Sequence, residues 1–120
     1  MITNFEDITP DLTEKEKELV PAMIKGFSSH DKSDPIKAPE IIKRLKSKGY
    51  GFSEVKLRKY VNYIRANSLL PLMSTSKGYY VSDDQEEILS QIKSLNERAS
   101  AIKKASDGLL MFIKGNGVTP

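Results

Sequence analysis

At 120 residues, 38% of them hydrophobic and 29% charged, the chain has room for one hydrophobic core and one appended element. It has no Cys and no Trp, which excludes disulfides and thiolate metal sites, and no segment reaches the roughly 18 apolar residues needed to span a bilayer. The net charge of +3 hides a partition: residues 1–36 carry −4, residues 37–80 carry +8 with only Glu40 and Glu54 as acids, and residues 81–120 carry −1.

Residues 1–10 include Glu6 and Asp7 and lack the basic-then-apolar pattern of a secretion signal. The expectation is a soluble cytoplasmic protein, nucleoid-associated if bacterial, with residues 1–11 as a flexible N-terminus. Thr13 followed by Glu16 is a capping box that opens a first helix. Leu19, Val20, Met23, Ile24 and Phe27 share one face of that helix. Pro21 falls inside the pattern, which predicts a kink or two short helical pieces. Residues 28–35 are polar and read as a loop, with His30 exposed in it. Ile36 and Lys37 are too short to assign alone but suit a brief strand.

Pro39 at its first position announces a second helix, with Ile41, Ile42 and Leu45 inward and Gly49 as its stop. After the turn 49–52, Ser53 is an N-cap for a third helix over 54–67. Leu57, Tyr60, Val61 and Ile64 form its buried stripe. The periodicity then changes: residues 70–74 suit an extended edge, with Pro71 tolerated there. Ser76, Lys77 and Gly78 form a tight turn, and Tyr79, Tyr80 and Val81 favour a strand, with one of the two tyrosines on the core.

Ser82 and Gln85 make a second capping box, with Asp83 and Asp84 where the helix dipole favours acids. Behind it Ile88, Ile92, Leu95, Ala99, Ile102, Ser106, Leu109 and Ile113 are spaced four and three apart in alternation, a heptad seam. Gly108 weakens the helix near its end. Either the seam continues or it stops near Ser106, and either the helix folds back on its own domain or it pairs with a second copy. Its length favours pairing, through Ile88, Ile92, Leu95, Ala99 and Ile102. The expected organisation is a domain over 12–82, a C-terminal helix over 83–114 and a frayed tail over 115–120.

The stretch SEVKLRKYVNYIRANSLLPLMSTSKGYYVS, residues 53–82, resembles the recognition helix and wing of winged helix-turn-helix DNA-binding proteins. The stretch EEILSQIKSLNERASAIKKASDGL, residues 86–109, resembles the tail of small phage- and prophage-associated members. The resemblance spans roughly residues 12–110, and Pro21 in the first helix departs from the general pattern. It implies a mainly α fold with a small β-hairpin (α+β), a winged helix-turn-helix followed by a long C-terminal helix. It also implies a third helix in the major groove and a hairpin against flanking backbone.

If the buried stripe of the third helix faces the core, Val55, Lys59, Asn62 and Ala66 point away from it, flanked by Lys56 and Tyr63 on one side and Arg58 and Arg65 on the other. Asn can pair bidentately with adenine, and Lys or Arg with guanine. The expectation assigns base edges to Lys56, Lys59, Asn62 and Tyr63, and phosphates to Lys43, Lys46, Lys48, Arg58 and Arg65. Ser76 and Lys77 would form the wing tip. The expected partners are double-stranded DNA and a second copy of the chain. No membrane, small-molecule ligand, metal or cofactor is indicated.

His30 is the sole His and has no nucleophile–carboxylate arrangement around it, and no glycine-rich phosphate loop is present, so catalysis is not expected. The expected function is sequence-specific or semi-specific binding by a dimeric transcriptional regulator or mobile-element accessory protein. The alternative is a winged-helix protein–protein assembly module that does not bind DNA, with the +8 segment as a solvated Lys-rich surface.

Overall fold

In the computed structural model, which describes residues 11–116, the chain divides into two compact units that join between Asp84 and Gln85. Apart from Asp11, the N-terminus expected to be flexible lies outside the described residues, as does the expected tail beyond Asn116.

The first unit begins with the predicted capping box. Thr13 Oγ1 accepts from the Glu16 N–H at 3.1 Å, and Glu16 Oε1 accepts from the Thr13 N–H at 2.8 Å. The helix they open is short, α1 (Glu14–Lys17), and α2 (Val20–Ser28) follows with Pro21 in its first turn. Two pieces form because proline tolerates only a first turn, where its missing N–H leaves no acceptor unsatisfied.

Next, α3 (Ala38–Ser47) starts one residue before the expected position, so Pro39 is its second residue. Gly49 ends it at φ +91°. Its N–H donates to Lys46 O at 3.0 Å and the Tyr50 N–H to Leu45 O at 3.0 Å, a Schellman closure that needs the left-handed residue glycine supplies. In α4 (Glu54–Ala66), Ser53 Oγ caps the Lys56 N–H at 3.2 Å. The far end repeats the Schellman pattern through Ser68 N–H to Arg65 O and Leu69 N–H to Ile64 O, with a serine at φ +54° in the glycine position.

The hairpin pairs β1 (Leu72–Thr75) with β2 (Gly78–Val81) in antiparallel register, Leu72 opposite Val81 and Thr75 opposite Gly78. Ile36 extends it by one bridge, exchanging hydrogen bonds of 2.9 and 2.8 Å with Tyr79. The close approach needs Gly78, which sits at φ +127° and whose added Cβ would lie 2.6 Å from Ile36 O.

The core collects Val20, Met23 and Phe27 from α2, Ile41 from α3, Leu57, Tyr60, Val61 and Ile64 from α4, and Leu72 from β1, joined by Leu12, Ile36 and Phe52. The predicted stripe of α4 is therefore wholly buried, with Leu57 and Ile64 at 0% exposure. Tyr79, on the Leu72 side of the hairpin, packs against this core and tilts against Phe27 at 5.8 Å. Tyr80 and its cross-strand partner Met73 are buried as well.

The second unit is α5 (Gln85–Met111), closed by a π-helical turn over Phe112–Asn116. It starts at Gln85, later than the expected 83, and the Ser82 hydroxyl accepts from the Asp84 N–H at 3.1 Å. It runs through Ser106 and Gly108 without a break. The architecture is mainly helical, with one two-stranded antiparallel hairpin and a long C-terminal helix: an α+β chain.

Candidate nucleic-acid interface

The basic segment 37–80 coincides with α3, α4 and the hairpin. Packing of α3 and α4 against one core brings residues far apart in the basic segment onto one unit. Phe52 anchors the turn between the two helices by stacking on Tyr60, with ring centroids 5.3 Å apart.

On α4 the outward side is carried by Val55, Asn62 and Ala66, all exposed. Lys56 lies beside them, half-buried, its ammonium 5.5 Å from the centre of the Phe52 ring and its Nζ donating to Gly51 O at 3.3 Å. Tyr63 is half-buried on the same flank, with the Lys17 ammonium 5.8 Å from its ring centre. Arg58 is half-buried on the opposite flank.

Lys59 points elsewhere than expected. Its Nζ lies 3.1 Å from both carboxylate oxygens of Glu16, and the two side chains are only 17% and 18% exposed. The Tyr60 hydroxyl donates to Glu16 O at 2.8 Å. Together these clamp α1 onto α4 and turn Lys59 from a base-edge candidate into a residue that positions the helix. The Glu16 carboxyl is held below its ordinary pKa, first by the Thr13 N–H and then by Lys59. Burial pushes the Tyr60 phenol up, which keeps it a neutral donor.

Arg65 is likewise committed. Its Nε donates to Leu72 O at 2.8 Å and its Nη2 to Ser74 Oγ at 3.0 Å. The guanidinium fork fixes β1 against the C-terminal end of α4 and so sets the angle at which the hairpin leaves the helix.

Lys43, Lys46 and Lys48 are exposed on and just after α3 and make no ion pair among the described residues. At the hairpin turn Ser76 and Lys77 are exposed, with the Lys77 N–H donating to Thr75 Oγ1 at 3.1 Å. The structure thus brings Lys56, Asn62 and Tyr63 onto neighbouring faces of one helix, and places the three α3 lysines and Lys77 on solvent-facing positions of the same unit.

The exposed-His expectation is corrected. His30 has 12% side-chain exposure and its Nδ1 lies 2.8 Å from Asp34 O, tying the loop between α2 and α3. Sequence reading missed the roles of Glu16 and Arg65. Glu16 carries a visible capping signal, but its partner Lys59 is 43 positions away. No local pattern signals such a pairing.

On α5, Ile92 is 46% exposed, and Leu95, Ile102 and Leu109 are exposed on the same seam, followed by exposed Ile113 in the π-helical turn. Ala99 is exposed between them, and Ile88 at the start is half-buried. Among the described residues no cluster of three or more His, Asp or Glu is placed to hold a metal ion, and no helix is long and apolar enough to cross a membrane. Comparison with known families, with curated proteins and with solved structures returns no match.

Proposed function

We propose that this chain is a non-catalytic winged helix-turn-helix protein that binds double-stranded DNA as a homodimer, serving as a transcriptional regulator or mobile-element accessory protein. One observation carries the proposal. The segment of charge +8 coincides with α3, α4 and the hairpin, and its lysines at 43, 46, 48 and 77 are exposed. A protein surface with this concentration of one sign attracts a polyanion.

In this reading α4 enters the major groove with Lys56, Asn62 and Tyr63 toward base edges. Lys43, Lys46, Lys48 and Arg58 meet phosphates, and Ser76 and Lys77 meet the flanking backbone. Lys59 and Arg65 act one step back, fixing α4 to α1 and the hairpin to α4. The α5 seam supplies the second copy, since exposed isoleucines and leucines at heptad spacing are stable in water chiefly when covered by a like helix.

The test is fluorescence anisotropy of a random-sequence duplex titrated with the protein across a salt series. Binding that weakens steeply with salt supports the proposal. No binding at low salt would make the basic segment a solvated surface and favour the protein–protein assembly role.

A further inference from the structure

Within the first unit, a cleft of about 280 Å³ opens on α2 and α3. Met23, Phe27, Ile36 and Ile41, all buried, form its floor. Such a floor repels ions and water and suits a hydrocarbon or aromatic body.

Gly26 lies on the cleft wall in the last turn of α2. A glycine costs a helix up to about 1 kcal/mol relative to alanine, the full amount applying to its interior. Among the described residues no packing contact requires it, because an added Cβ would meet nothing within 4 Å. What the missing side chain does provide is width at the mouth of the cleft.

The fully charged side chains that line the cleft are of one sign among the described residues. Arg44 and Lys48 line it together with neutral Tyr50 and with His30, whose Nδ1 lies 3.6 Å from Asp34 Oδ2, and among the described residues no Asp or Glu does. Glu40, outside the lining, accepts from Arg44 Nε at 3.0 Å and so orients the guanidinium with its terminal nitrogens unengaged among the described residues. Lys48 is exposed and makes no ion pair among the described residues. Both cations sit at the C-terminal end of α3, where the helix dipole stabilises them and offsets part of their attraction for an anion. A single carboxylate matches the planar fork of Arg44.

From this cleft we infer a binding site for a small amphiphilic monocarboxylate, its apolar body on the Met23–Phe27–Ile41 floor and its carboxylate between Arg44 and Lys48. The inference does not rest on DNA binding, and its assay contains no DNA.

The probe is octanoate, titrated into the full chain while backbone amide chemical shifts are followed by NMR. Amides of α2 and α3 shift and saturate, with half-saturation near about 1 mM, the affinity ordinary for a ligand of ten non-hydrogen atoms. Octan-1-ol, with the same body and no charge, binds about tenfold more weakly, and so does octanoate to the double variant Arg44→Gln/Lys48→Gln. Gly26→Leu, whose Cβ meets nothing within 4 Å among the described residues and which gains helix propensity, folds and loses the shifts. Equal binding of octanol and octanoate overturns the inference. So does unchanged binding by the folded Gly26→Leu variant, or shifts confined to residues 109–113 of the second unit.

Discussion

Replacing Lys43, Lys46 and Lys48 by Gln separates cations that meet DNA from cations that hold the fold. All three are exposed and unpaired among the described residues, so their loss changes stability by no more than about 0.5 kcal/mol. With Lys43, Lys46, Lys48, Arg58 and Lys77 on phosphates, about five charges are neutralised per protomer, and each protomer contributes about −4.5 to the slope of log affinity against log salt. Each protomer's share of the wild-type affinity then falls about 500-fold between 50 and 200 mM salt, by that slope. Per protomer, the triple variant keeps about two contacts, a slope near −1.8 and only about a 12-fold fall over the same range.

The matched control is Lys59→Gln. Its ammonium is held 3.1 Å from Glu16 at 17% exposure, so its loss leaves the slope unchanged and lowers stability by about 1–2 kcal/mol. Anisotropy titrations at four or five salt concentrations read the slopes, and urea unfolding reads the stabilities. A wild-type slope shallower than about −2 refutes the phosphate count. A triple variant that keeps the full slope refutes the assignment of the α3 lysines, even if DNA is bound.

Four further outcomes follow from the packing. Glu16→Gln lowers stability at pH 7 by about 1–2 kcal/mol. Because the Thr13 N–H and Lys59 hold the Glu16 carboxyl below its ordinary pKa, the wild-type advantage is complete above about pH 4.3 and is lost as pH falls through the lowered value. Unfolding curves for the two proteins therefore converge in acid, and a gap that persists there argues against the pair. Gly78→Ala forces a Cβ to 2.6 Å from Ile36 O at a φ of +127° and destabilises by about 3 kcal/mol or more; a loss under about 1 kcal/mol in thermal unfolding would contradict the geometry. Ser68→Gly relieves a serine at φ +54° and stabilises by about 0.5–1 kcal/mol, read as a raised unfolding midpoint. Ile92→Gln with Leu95→Gln, both on the exposed α5 seam, halves the mass seen by light scattering, and an unchanged mass rules out pairing through this helix.

Much of this architecture is local, and local features are legible in a sequence. The Thr13–Glu16 box, the Gly49 stop, the Ser53 cap and the 57–60–61–64 stripe each depend on residues within a turn or two, where helix geometry alone fixes the neighbours. The charge partition needs only counting, and the heptad seam of α5 only spacing. Ser82 marks the approach to α5 rather than its first turn: its hydroxyl accepts from the N–H two residues on, and the helix opens at Gln85.

The roles of individual charged side chains were decided by tertiary packing. Lys59 lies on the outward part of α4 by helical phase, yet α1 packs alongside and presents Glu16, so a half-shielded ion pair outcompetes hydration there. Arg65 is drawn to β1 because two acceptors on the strand, Leu72 O and Ser74 Oγ, lie within reach of its fork once the hairpin folds back. His30 is drawn inward by the loop it closes, and Ile36 becomes a strand residue only because Gly78 lets β2 approach it. Helical phase sets the direction in which a side chain leaves its own element. Which partner it meets depends on where elements distant in sequence come to rest, and a flexible charged side chain follows that partner rather than its phase.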